Sequence, residues 1–419
     1  MALVSFTLAG LTGAGLRFGL VYGFPWALNY ADVRHAHSHL MFFAWVTPAA
    51  MLLAAQALSD RGRRLPGGGG VAIAAAAMGL AAYLPFLTSG YRLTPVGDAE
   101  LPLSMMASGL NGLVWYAFAG LWWFAARRLR RDAVMRYFDG AVILLVAASL
   151  GAVGLAWMGM SAVESAALQA AFVDVFLTLF ADGWFGVAIV AGALVAVRRD
   201  AGALNATRRD AGARVAWPHA VGGAVASRRD TGAKPIAAWP ATALVVGLLL
   251  RSVSRFLADG LGWSWTAPFE AAGGAIAALA WLAAVVHVWP KRGAAGPPTL
   301  LHVALGLLAT KAVAELAMAT PAGGAWVTAN GLRVFLLHAF LLGAISIGLV
   351  AVFRARYGSA AFRGATVFAL AVGVMLVSLL PLTGLWPMAY AGRWALTFAA
   401  VAALGPPLVA AVATVARPR

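Results

Sequence analysis

Residues 34–58 read RHAHSHLMFFAWVTPAAMLLAAQAL. After His35, His37 and His39 the chain runs from Leu40 to Leu58 without a single charge. A helix needs about 20 apolar residues to cross a bilayer core, so the stretch reads as a membrane span with an imidazole cluster at its mouth. Ionisable groups are expensive in lipid, which makes such a cluster a functional candidate. At about 100° per residue His35 and His39 share one helix face and His37 points nearly the opposite way.

The same rule organises the whole chain. With 62% hydrophobic and 11% charged residues, apolar runs of span length recur throughout. The expected fold is an all-α integral membrane protein of about twelve transmembrane helices. The spans fall near 3–24, 34–58, 71–89, 102–126, 139–160, 166–197, 239–258, 268–289, 299–319, 330–353, 362–383 and 391–415. Asp182-Gly183-Trp184 in mid-run predicts a kink or break in the sixth. The first run lacks a basic leader and reads as a span rather than a signal peptide. There is no cysteine, which excludes disulfides, thiolate metal sites and iron–sulfur clusters.

Charge sets the topology. Of the 31 basic residues, 23 follow the even-numbered spans, whereas the opposite loops carry Asp32, Asp98, Glu100, Glu164 and Asp259. By the positive-inside rule every even-numbered span ends in the cytoplasm and both termini are cytoplasmic. The chain then divides into helices 1–6 (1–197), an arginine-rich cytoplasmic loop (198–238) and helices 7–12 (239–419). The loop repeats RRDAGA at 198 and 208 and RRDTGA at 228, without interleaved aromatics or a hydrophobic face. It reads as a flexible, topology-holding segment rather than a nucleic-acid site, and its His219 receives no role. The +16 formal charge thus implies no nucleic-acid partner.

Depth follows from position. The second and tenth spans both enter from outside, and His338 lies about 12 Å into the tenth at ~1.5 Å per residue. The histidines of the second span and His338 therefore share the outer half of the membrane. Two imidazoles facing across a bundle can hold a haem iron axially. Arg17, Asp174, Arg251, Arg255, Glu270 and Arg333 occupy the same half, where buried arginines need anions. Arg251 and Arg255 are expected to meet carboxylates of this chain or the propionates of a haem. In the ninth span Lys311 and Glu315 form an i,i+4 pair near mid-membrane. With His302 nearer the cytoplasmic end, they outline either a proton path or a structural ion pair.

The second span resembles helix two of haem–copper oxidase subunit I, with His37 at the low-spin haem ligand position and Met41, Phe42, Phe43 and Pro48 in matching places. His338-Ala339 followed by Gly343-Ala344-Ile345 is similar to the corresponding helix of NnrS-type membrane proteins linked to nitric-oxide stress. Twelve spans with both ends inside is the arrangement of that superfamily's core. The resemblance implies an oxidase-like bundle, one haem b between His37 and His338, and electron transfer or nitric-oxide handling with a redox partner protein or quinol. It also implies the inner (cytoplasmic) membrane of a prokaryote, where the chain is embedded in the lipid bilayer. The departures are specific. Leu336 stands where the oxidases have the first His of a His-x-His, and the sixth and seventh spans contain no histidine for copper. A conventional oxygen-reducing centre is therefore not expected. The alternative is a transporter or metal-binding protein using His35 and His39, with His37 and His338, for copper or another divalent metal.

Overall fold

Apolar runs of this length can satisfy their backbone in lipid only as helices, and helices are what the chain forms. The computed structural model describes residues 1–26, 28–161, 163–198, 238–289, 299–387 and 392–415. Of the 198–238 loop only its two end residues are included, so the loop and His219 lie outside the described residues. The long helices are α1 (Ala2–Tyr22), α2 (Tyr30–Ser59), α3 (Gly68–Ser89), α4 (Leu103–Ala126), α5 (Ala133–Met160), α6 (Ala166–Arg198), α7 (Trp239–Gly260), α8 (Ser264–Val288), α9 (Leu300–Met318), α10 (Arg333–Tyr357), α11 (Ser359–Leu382) and α12 (Arg393–Val415). All except α4 are long and apolar enough to cross a membrane. Helix α4 has the length, 24 residues, but Asn111 and its Trp and Tyr residues make it less apolar. A small hairpin pairs Thr94–Val96 with Ala99–Leu101, and a short helix, Pro321–Ala329, precedes α10.

Caps move two helix starts ahead of the apolar runs. Asn29 Oδ1 accepts the Asp32 N–H at 3.0 Å, so α2 begins at Tyr30 and carries all three histidines inside it. Asp132 does the same for the Met135 N–H at 3.0 Å, so α5 begins at Ala133 rather than near 139. Ion pairs then tie the helix ends together. Arg61 after α2 meets Asp132 at 2.8 Å, Arg198 at the end of α6 meets the same carboxylate at 3.3 Å, and Arg356 of α10 meets Asp60 at 2.6 Å. These contacts gather the ends of α2, α6 and α10 with the start of α5 at one arginine-rich end. The three-histidine stretch marks the other.

Helices α2 and α6 form the centre: 83% of the apolar window of each is buried, against 28% for α1. Widened turns occur in the well-buried α2, α6 and α10 and also in α7, only a third of which is buried. Helix α2 opens into a π turn over Leu40–Val46, α6 over Thr178–Gly186 and α10 over Ala339–Ile347, with a shorter one in α7 at Phe256–Gly260. The expected break at Asp182 is thus a local widening inside one continuous helix. Between α2 and α6, Phe42, Phe43, Phe180 and Phe185 interlock at ring separations of 4.8–6.3 Å. Trp45 Nε1 donates to Ser346 Oγ at 3.2 Å, joining α2 to α10. Close approach elsewhere relies on missing side chains. A Cβ on Gly273 of α8 would stand 2.5 Å from the Arg251 backbone nitrogen of α7, so only glycine allows that crossing.

Candidate functional site

The regular first turns of α2 put its histidines on two faces. His37 looks towards α1: its Nδ1 donates to the Ala9 carbonyl at 2.7 Å, and a Cβ on Gly13 would stand 2.7 Å from its ring. His35 and His39 look towards α3. The His39 ring lies 3.8 Å from that of Phe86 and its Nδ1 donates to the His35 carbonyl at 2.9 Å. His35 packs edge-on against Tyr91 at 4.8 Å. Tyr91 lies in the loop beyond α3, and burial pushes its phenol up.

His338 of α10 comes to the side of α1 that His37 occupies. Its Nδ1 donates to the Val334 carbonyl at 2.7 Å, and its Nε2 accepts from Arg17 Nη2 at 3.3 Å. Both imidazoles thus use Nδ1 on a backbone carbonyl and present Nε2 away from it. That is the arrangement metal-ligating histidines usually adopt, because the carbonyl fixes both tautomer and ring orientation. His37 and His338 line a common cavity of about 2130 Å3, whose walls include Arg17, Phe42, Leu342 and Pro407. The space exceeds the ~300–1,000 Å3 of ordinary small-molecule pockets.

On another part of the cavity wall stand Asp174 and Arg255. Arg255 meets Asp174 at 3.4 Å, Asp259 at 3.3 Å and Glu270 at 3.8 Å. One helical turn deeper along α7, Arg251 donates to Glu315 Oε1 of α9 at 3.1 Å. Lys311 reaches that same oxygen at 2.7 Å and Asp182 Oδ1 of α6 at 3.1 Å, with its ammonium 4.6 Å from the Phe340 ring centroid. Of the partners expected for Arg251 and Arg255, carboxylates of this chain stand against both. Lys311 and Glu315 are only 8% and 6% exposed. Ion-pair distance does not give them aligned hydrogen bonds: Lys311 Nζ and Glu315 Oε2 have no well-directed partner among the described residues.

The remaining sequence candidates separate from this centre. His302 packs edge-on against Trp289 at 5.0 Å. It stands nine residues, or about 14 Å of rise, from Lys311 along α9. Arg333 lines the cavity near its histidine end. Two participants escaped the sequence reading in their actual roles. Asp182 was a kink marker there, although a mid-span carboxylate calls for a cation, and Lys311 is its counterpart. Arg17 was expected to meet an anion and instead donates to His338. Among the described residues no group of three or more His, Asp or Glu is arranged to hold a metal ion by itself. Comparison with protein-family models and with curated proteins finds no match for the chain.

Proposed function

We infer that this chain is a multi-pass membrane protein that binds one haem b, which His37 and His338 would hold, in electron transfer or nitric-oxide handling. The observation that carries the reading is the pose of the two imidazoles. They stand on different helices, line one cavity, and each has Nδ1 anchored on a backbone carbonyl, which leaves Nε2, held in His338 by Arg17, as the nitrogen for a ligand. The cavity's size and the Phe and Leu residues of its wall suit a large, mostly apolar group. A bound haem would supply one-electron chemistry. The protein's part is to orient the rings through Ala9 and Val334 and to shield the site with Phe42 and Leu342. Arg17 must release the lone pair of His338 Nε2 for a metal to take it, since both compete for one acceptor. Arg251 and Arg255, already paired within the chain, are dispensable for holding an acidic ligand group, whereas Arg17 and Arg333 remain for that task.

The same reading puts the arginine-rich end and both termini in the cytoplasm of a prokaryotic inner membrane, within an oxidase-like arrangement of twelve spans. A quinol or a redox protein would act as electron donor or acceptor. A divalent-metal role for His35 and His39 has weaker support, because His39 is committed to Phe86 and to its own helix.

Optical spectroscopy of protein purified from haem-replete cells tests the assignment. The expected result is a low-spin spectrum that is lost in His37→Ala and in His338→Ala but kept in His35→Ala. A wild-type preparation without a Soret band overturns it.

A further inference from the structure

Three helices carry an alternating ladder of charges through the bundle. Helix α6 supplies Asp174 and Asp182, α7 supplies Arg251 and Arg255, and α9 supplies Lys311 and Glu315. The inner rungs are Asp182, Lys311, Glu315 and Arg251, two carboxyls facing two cations. Among the described residues the further charged groups that act on them are Asp174 of α6 and Glu270 of α8, both through Arg251, while α10 contributes the Phe340 ring. The outer rungs, Asp174 and Arg255, line the cavity, with Asp259 and Glu270 around Arg255 towards the histidine end.

Two features of the inner rungs call for a mobile proton. Asp182 Oδ1 and Glu315 Oε1 converge on the single Lys311 ammonium, at 3.1 and 2.7 Å, and two carboxyls brought within about 6 Å of each other in a buried site favour protonation of one of them. In addition, Lys311 Nζ and Glu315 Oε2 are more than nine-tenths buried and unaligned with any partner, so the group is not a saturated structural ion pair. A purely structural tie would be expected to close these bonds, because unsatisfied buried charge is destabilising.

We propose that Asp182 and Glu315 hold one exchangeable proton between them, and that Arg251, Asp174 and Arg255 connect this pair to the cavity at the histidine end. The step balances simply. The carboxylic acid releases H+ towards the cavity, leaving two carboxylates against Lys311 and Arg251 with no net charge. Uptake reverses it and leaves one positive charge. No electron moves and no covalent bond other than O–H changes. The inference stands independently of haem, since none of these residues is an assigned ligand.

Infrared difference spectroscopy on the full chain in liposomes tests it, with steps of pH and transfer from H2O to D2O. The wild type should show a carboxylic-acid C=O band that shifts in D2O and disappears as pH rises. Asp182→Asn and Glu315→Gln should each remove or displace that band, while Asp132→Asn, at the arginine-rich end, should leave it. Asp174→Asn should keep the band and slow its exchange with D2O at least several-fold. If the inner variants fail to assemble, 13C-labelling of Asp or Glu carboxyls in the wild type assigns the band in their place. A wild type without a titrating carboxylic-acid band overturns the proposal. So does a band that survives both inner substitutions, or one that moves with neither label.

Discussion

Lys311→Met is the sharpest perturbation of the buried network. It deletes the contacts at 2.7 Å to Glu315 and 3.1 Å to Asp182 and leaves two carboxyls facing Arg251 alone. Methionine fills much of the lysine stem's volume and keeps a contact with Phe340, so the loss is electrostatic rather than a cavity. At a pH where both carboxyls are ionised, breaking one partner out of a buried ion pair costs about 3–5 kcal/mol, because the remaining charge is uncompensated. Lys311→Met/Asp182→Asn restores the balance, leaving Glu315 with Arg251, and should recover a coupling of about 1–3 kcal/mol relative to the summed single variants. Thermal unfolding in detergent, followed through the buried Trp184 and Trp281, provides the measurement. The reasoning fails if Lys311→Met is as stable as the wild type, or if the double variant merely equals the sum of its parts.

Other perturbations address the remaining parts of the molecule. Gly13→Ala should displace the His37 ring, since its Cβ would sit 2.7 Å away, and should weaken or broaden a low-spin haem spectrum without unfolding the protein. Asp132 lies outside the spans; burial pushes its carboxyl up, but the Met135 N–H and the Arg61 and Arg198 guanidiniums hold it below its ordinary value. A depressed folded value means its stabilisation is present above the unfolded value near ~3.9 and is lost as pH falls through the folded one. The wild type should therefore lose more stability than Asp132→Asn on acidification below about pH 4, measured by unfolding in detergent. Reporter fusions within 198–238 should be active on the cytoplasmic side, and an outward signal there reverses the proposed topology.

Much of the scaffold was legible because bilayer thickness imposes a length that any apolar run displays. Helices α1, α3 and α7 fall within a few residues of their apolar runs, and the opposed faces of His37 and the His35/His39 pair follow from helical period. What period cannot show is which surfaces meet. Asp182 and Lys311 are far apart in the chain, and only the packing of α6 on α9 makes them partners. Arg17 and His338 likewise meet through the placement of α1 beside α10. Helix starts were misjudged at α2 and α5 because Asn29 and Asp132 cap turns that are not yet apolar. The widened turns carry no local propensity, and in α2 and α6 they coincide with the interlocked rings of Phe42, Phe43, Phe180 and Phe185.

Those widened turns have a consequence for how the central helices can change. Each holds one residue more than an ordinary turn, so the segments before and after it are set in rotation independently. In α2, the part before Leu40 aims His37 at α1, while the part after it aims Trp45 at Ser346. Deleting a single residue within the widened turn would let the helix close to regular pitch while the segments on either side keep their facing, whereas the same deletion in a regular turn swings everything downstream by about 100°. A one-residue deletion in a regular turn exchanges an entire face, but in a widened turn it removes only the contacts of the residue deleted. Deletion scanning should therefore find these turns more tolerant of a one-residue loss than the regular turns on either side of them.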